Sequence, residues 1–294
     1  MKILFIGTVK FSYFALKNLI DSGENIAGVI TSDDDKLNSD FFDLVPLCKK
    51  NNIPFLLERD INSLESFKWI KSICPDVIFC FGWSRLLKKD ILNFPKLGVI
   101  GYHPSLLPKN RGRHPLIWAL ALGLNETGST FFIMDEGADT GDIISQKKVK
   151  ISPSDNAQTL YEKMITISKS QIKEIIYKLK KNDLNKRLQK DYSSNYWRKR
   201  KKNDGQIDWR MSANSIHNLV RALHKPYPGA IFNFNDKEYL VWETKVLVSK
   251  KYRNFEPGKI IHDKSKFPIV VCGEDAIRLI QVEPKIDLSK QEYL

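Results

Sequence analysis

Residues 75–82, PDVIFCFG, and residues 98–103, GVIGYH, decide the fold. Each run is apolar at successive positions rather than at every second one. A strand apolar on both faces is buried on both faces, and that is the mark of a parallel sheet covered by helices. Outward from this pair, KILFIG (2–7), NIAGVITS (25–32) and IPFLLE (53–58) have the same character. Helical spacing separates them at about residues 11–21, 40–51 and 63–72. Short apolar strands alternating with helices predict an α/β domain, Rossmann-like and doubly wound, with a mainly parallel sheet. Such sheets bind ligands outside the carboxyl ends of the strands, at the point where strand order reverses. The runs end at Gly7, at Phe81 with Gly82, and at His103. A histidine therefore stands where this architecture places chemistry.

Further along, GSTFFIMDEGADTGDIISQKKVKI (128–151) reads as two β runs around an acidic turn. Leu160, Met164, Ile167, Ile172, Ile175 and Leu179 then keep the spacing of a long amphipathic helix, with SPSD (152–155) as its cap and first turn. After a polar stretch, residues 213–223 read as a helix and PYPG (226–229) as a turn, followed by several short β runs. The expected organisation is a first domain over residues 1–182, a linker over 183–205 and a smaller β-rich domain over 206–294.

Composition narrows the function classes. At 294 residues with 42% hydrophobic content, the chain can bury a full core. No segment reaches the roughly 18 apolar residues of a spanning helix, and no leader-like cleavage pattern follows the start, so the expected location is the cytoplasm. Cys48, Cys74, Cys80 and Cys272 form no CxxC pair and read as reduced and structural, with no metal site. The first turn, GTVKFS (7–12), lacks G-x-G-x-x-G, which argues against a dinucleotide cofactor. The net charge of +13 suits an anionic partner, but lysine is spread along the whole chain. Its one dense concentration is WRKRKK (197–202).

His103 at a strand end, with the carboxylates of DEGADTGD (135–142), suits proton transfer near neutral pH. The chain supplies neither a serine elbow nor a cysteine nucleophile, so direct transfer is preferred to a covalent enzyme intermediate. The alternative is that His103 caps the sheet and the acidic turn is a solvated hairpin.

IGYHPSLLPKNRGRHPLIWAL (100–120), followed by ETGSTFFIMDEGADTGDIISQ (126–146), resembles the formyltransferases that use N10-formyltetrahydrofolate. The resemblance covers nearly the whole chain. QIDWRMSANSIHNLVRALHKPYPGAIF (206–232) is similar to the join to the small OB-like C-terminal domain of two groups within that family. The resemblance implies His103 as the base and Asp139 as its supporting carboxylate. For folate it implies WSRLL (83–87), through Ser84, Arg85, Leu86 and Leu87, together with Asp135, Ala138 and Asp142. The family's Asn-x-His motif departs here, because its asparagine falls on Gly101. Loss of one donor to a developing oxyanion can cost about 2.7–4 kcal/mol. The expectation is an active enzyme in which another group serves, and the alternative is a non-catalytic folate-binding relative.

The implied acceptor is the primary amine of a nucleotide-linked amino sugar, as in surface polysaccharide (O-antigen) biosynthesis. Tyr102, Pro104, Ser105, Arg113, His114, Tyr196, Trp197 and Arg198 are the expected acceptor-side residues. Initiator methionyl-tRNA is the less favoured acceptor. Where the tRNA enzymes resemble P-D-R-x-x-G-R-G, this chain has TSDDDKL (31–37), whose aspartates repel a phosphate backbone. No membrane partner is expected, and a homodimer is allowed.

Overall fold

The computed structural model describes residues 1–33 and 39–294. Most of the acidic run at 33–37 lies outside the described residues. The chain divides into two compact units.

The first unit comprises Met1–Pro115, Thr127–Val149 and Glu162–Trp197. Its sheet begins with β1 (Ile3–Ile6), β2 (Ile26–Thr31), β3 (Phe55–Leu57), β4 (Val77–Cys80) and β5 (Val99–His103). The helices between them are α1 (Lys10–Asp21), α2 (Val45–Lys50), α3 (Leu64–Ile73) and α4 (Lys89–Leu92). After β5 come the two-residue β6 (Arg111–Gly112), α5 (Pro115–Ala121), β7 (Glu126–Ile133), β8 (Ile143–Lys150) and α6 (Ala157–Lys180). The sheet runs β3-β2-β1-β4-β5-β7-β8. Strands β1 to β5 pair in parallel and β7 joins β5 antiparallel. Strand order reverses between β1 and β4, so Gly7 and Gly82 flank the switch point.

The apolar runs behave as their patterning requires. Every residue of β1 is fully buried, and so are Val77, Ile78, Val99 and Ile100. Phe81 meets Phe5 and Phe131 edge-on at ring separations of 5.7 and 5.3 Å. Emptying such a site costs about 3–5 kcal/mol. Expected helices and strands match the observed ones within a few residues, with two differences. The helix expected over 40–51 is shortened to α2. Helix α6 starts at Ala157, where Asn156 caps it by accepting from the Thr159 amide, while the Asp155 carboxylate closes the preceding turn on Ser152.

The second unit comprises Leu116–Glu126, Lys150–Tyr161 and Arg198–Leu294. Its antiparallel sheet has the order β10-β11-β14-β13-β12. Before these strands, β9 (Tyr196–Trp197) closes the first unit, and α7 (Ala213–Ala222) precedes β10 (Ala230–Phe234). The remaining strands are β11 (Lys237–Leu247), β12 (Ile260–Ile261), β13 (Ile269–Val271) and β14 (Ala276–Glu283). Ser212 caps α7 by accepting from the Ser215 amide, and Ile216, Leu219 and Val220 are buried. No helix among the described residues is long and apolar enough to cross a membrane.

Candidate active site

The site is assembled at the C-terminal end of β5. The strand carries His103 to its last position, opposite Thr130 of β7, and leaves the ring only 5% exposed. Beyond it the chain turns back through Asn110, whose backbone is left-handed (φ 64°), a conformation that asparagine tolerates. The turn aims the Asn110 carbonyl at His103 Nε2, 2.8 Å away. A carbonyl oxygen only accepts, so Nε2 carries a proton in this contact. Nδ1, the other ring nitrogen, lies 3.4 Å from Oδ2 of Asp139.

Asp139 is brought there by the turn between β7 and β8, and its own backbone is left-handed (φ 60°). Its Oδ2 also accepts the Gly112 amide at 2.9 Å. Gly112 has to be glycine: its φ is 97°, and a Cβ there would sit 2.4 Å from the Trp197 carbonyl oxygen. The carboxylate thus faces the imidazole while a backbone donor fixes its angle.

Gly101, two positions before His103, has equally little room. A Cβ there would lie 2.8 Å from both Met134 Cγ and Phe132 Cζ. Phe132 belongs to an apolar cluster with Leu107 and Ile143, against which Met134 packs. The place where an amide side chain would stand is filled by hydrocarbon.

The folate-side candidates fall into two groups. Ser84 and Arg85 line a small cavity of about 10 Å³ with Ser32 and Trp83. Trp83 Nε1 is buried there without a hydrogen-bond partner among the described residues. Arg113 donates to the Ser84 carbonyl at 2.7 Å, which holds this loop. Leu86 is 56% exposed, whereas Leu87 is buried in the core, leaving only its main chain for a ligand. In the acidic turn, Asp135 accepts from the Gly137 amide and the Thr140 hydroxyl. Ala138 is exposed, and the Asp142 carbonyl accepts the Ile133 amide.

The acceptor-side candidates all have contacts within the protein. Tyr102 stacks on Phe11 at 4.0 Å and takes a hydrogen bond from Ser129 at its hydroxyl. Desolvation raises that hydroxyl's pKa, and the ring is partly buried against Phe11 and Phe131. Ser105 is fully buried and donates to the Lys109 carbonyl, and the Pro104 carbonyl is used by Thr127. His114 is left-handed (φ 55°) just ahead of α5. Tyr196 is 56% exposed and accepts from Arg111 at its hydroxyl, while the Trp197 carbonyl accepts the Arg113 amide.

Arg198 belongs to the second unit and is occupied there. It makes a two-pronged pair with Asp204 at 2.7 and 2.6 Å, and its guanidinium lies 5.3 Å from the centre of the Trp118 ring. Arg200 lies over the same ring at 4.7 Å, and Lys202 pairs with Glu238 at 2.6 Å. The Arg198 guanidinium holds the Asp204 carboxyl well below the usual carboxylate range. The expected free cationic run is in part a closed set of internal pairs.

Sequence reasoning did not single out Gln189 or Asn195, which hold this site from behind. Neither sits in a periodic pattern, although Asn195 directly precedes the candidates Tyr196 and Trp197. Among the described residues no cluster of His, Cys, Asp and Glu could hold a metal ion.

The family profile "Formyl transferase" matches residues 1–176, and "Formyl transferase, C-terminal domain" matches residues 199–294. A methionyl-tRNA formyltransferase of Caldanaerobacter subterraneus subsp. tengcongensis is 33% identical, over 100% of this chain and 96% of that one. A bifunctional polymyxin resistance protein of Wigglesworthia glossinidia brevipalpis is 34% identical over 96% of this chain and 43% of its own length. An N-formyltransferase of Helicobacter canadensis, solved with folinic acid and dTDP-3-aminofucose, superposes with a TM-score of 0.70 at 21% identity. That match covers 95% of this chain and 98% of the other. With both halves of the chain matched, it belongs to the N10-formyltetrahydrofolate-dependent formyltransferase family.

Proposed function

We propose that this enzyme transfers the formyl group of N10-formyltetrahydrofolate to the primary amine of a nucleotide-linked amino sugar, with His103 as base. The observation that carries the chemistry is the fixed ring. With Nε2 held on the Asn110 carbonyl, Nδ1 exchanges protons beside Asp139. The amine nitrogen attacks the formyl carbon, and a carbon–nitrogen bond forms as the bond to N10 breaks. Nδ1 accepts the proton released by the amine and returns it to N10, so the products are the N-formyl sugar and tetrahydrofolate. Asp139 stabilises the imidazolium in between. Such acid–base assistance contributes about 10²–10⁴-fold in rate.

The loop at residues 82–87 is the folate-side candidate. Trp83 offers a buried donor with no acceptor among the described residues, beside a cavity edged by Ser32 and Arg85. A heterocycle rich in acceptors matches such a lining.

For the acceptor, the internal pairing of Arg198 and Lys202 leaves few cations in the 197–202 run for a phosphate backbone. That loss bears on a nucleotide diphosphate as well, so the small-substrate reading rests on the whole-chain likeness to an N-formyltransferase solved with a dTDP-linked amino sugar. The second reading, methionyl-tRNA, rests on relatives 33–37% identical that carry that name. The assay is tetrahydrofolate release from purified protein, offered in turn UDP-, GDP- and dTDP-linked amino sugars and methionyl-tRNA. Turnover with a sugar supports the proposal. Turnover with methionyl-tRNA alone overturns it, and folate binding without any turnover supports a non-catalytic relative.

A further inference from the structure

Behind the His103–Asp139 pair runs a strap of chain, residues 187–197, that leaves the end of α6 and finishes as β9. Strand β9 pairs in parallel with β6, the two residues next to the site. The strap reaches both partners of the pair through polar side chains that contact no reacting group.

Toward Asp139 the link is Gln189, a buried side chain. Its Nε2 donates to the main-chain carbonyls of Asp139, at 2.9 Å, and Gly141, at 2.7 Å. Its Oε1 accepts from Arg111 Nε and Nη2 at 3.2 and 2.9 Å. Arg111 is itself only 2% exposed, and its Nη1 donates to Asp191 and to the Tyr196 hydroxyl. Arg111 thus polarises and orients the amide, and the amide grips the turn on both sides of Thr140. A left-handed aspartate is costly unless its surroundings hold it. Gln189 supplies that hold.

Toward His103 the link is Asn195. Its side-chain oxygen accepts the Asn110 amide at 2.8 Å, and its carbonyl accepts the Arg111 amide at 3.0 Å. Asn110 is the residue whose carbonyl fixes His103 Nε2. Both halves of the pair are therefore anchored on one segment.

We infer that the 187–197 strap is the positioning element of the formyl-transfer site, with Gln189 setting Asp139 and Asn195 setting His103 through Asn110. This rests on the reading of His103 and Asp139 as the proton-handling pair. Neither strap residue is assigned a contact with folate or acceptor. Its loss should act on the chemical step and not on substrate affinity.

The test is steady-state kinetics on a confirmed acceptor, with thermal unfolding measured on the same samples. Gln189→Leu is expected to lower kcat on the order of 10- to 100-fold, the size of an ångström-scale misplacement, with KM for both substrates nearly unchanged. Gln189→Glu keeps an acceptor for Arg111 but cannot grip the two carbonyls as a carboxylate, so it should lose kcat while remaining folded. Asn195→Leu should also lose kcat, and Asn195→Asp, which keeps the acceptor oxygen, should restore most of it. If Gln189→Leu fails to fold, Gln189→Glu decides. Near-normal kcat in Gln189→Glu, or a rise in KM matching the fall in kcat/KM, overturns the inference. A fully active His103→Ala would instead remove the reading on which it rests.

Discussion

His103 Nδ1 and Asp139 Oδ2 face each other at 3.4 Å, brought together from separate parts of the chain. One comes from the end of β5 and the other from the turn after β7. Substitution tests the pair directly. His103→Ala is expected to lower kcat by about 10²–10⁴-fold. Asp139→Asn retains an oxygen for the Gly112 amide but removes the charge, so it should lower kcat with folate affinity intact. Tetrahydrofolate release and folate titration separate the two effects.

Gly101 tests how this site differs from an asparagine-bearing one. Because Phe132 and Met134 occupy the space, Gly101→Asn should overpack the core and destabilise the protein by about 1–3 kcal/mol. The unfolding temperature is expected to fall by several degrees, with no gain in kcat. A stable variant with raised kcat would show that the hydrocarbon yields readily.

Much of this was legible before any coordinates. Strands buried on both faces announce themselves as unbroken apolar runs, and His103 sits at the end of one, so the fold and one half of the pair follow from local pattern. Asp139 follows only through the motif around it. Gln189 and Asn195 lie in a polar stretch without period, and their meaning depends on which carbonyls the turns at 110 and 139 present. The partners of Arg198 are hidden from the sequence for the same reason. A cation beside tryptophan suggests a ligand site, and only the fold shows Asp204 and Trp118 already taking it up.

His217 gives the second unit a pH dependence. Its Nδ1 meets the Thr244 hydroxyl at 2.9 Å, and burial first, with the Arg221 charge second, lowers its pKa. The folded state therefore holds the neutral ring, whereas the unfolded chain protonates near 6.5. Its contribution to stability is complete above about pH 6.5 and is lost as pH falls from there through the folded value. Thermal unfolding between pH 7.5 and 5 should show this loss, and His217→Gln should flatten it. An unchanged slope would discard the assignment.

Thiol labelling checks the packing. Cys74 is exposed, whereas burial pushes the thiols of Cys48 to about 11 and of Cys80 and Cys272 to about 12. One thiol per chain should react rapidly with a disulfide reagent at neutral pH, and the other three only on unfolding. Two or more fast thiols would contradict the burial.

The pairing of β9 with β6 also bears on where the gene can be cut. A catalytic fragment ended at the last turn of α6 would keep the sheet, His103 and Asp139, and would look complete. It would lack Gln189, Asp191 and Tyr196, the partners of the Arg111 guanidinium, and Asn195, the partner of the Asn110 amide, so the turns that carry Asp139 and Asn110 would lose their hold. Any truncated version made for screening or for swapping C-terminal domains therefore has to run through Trp197.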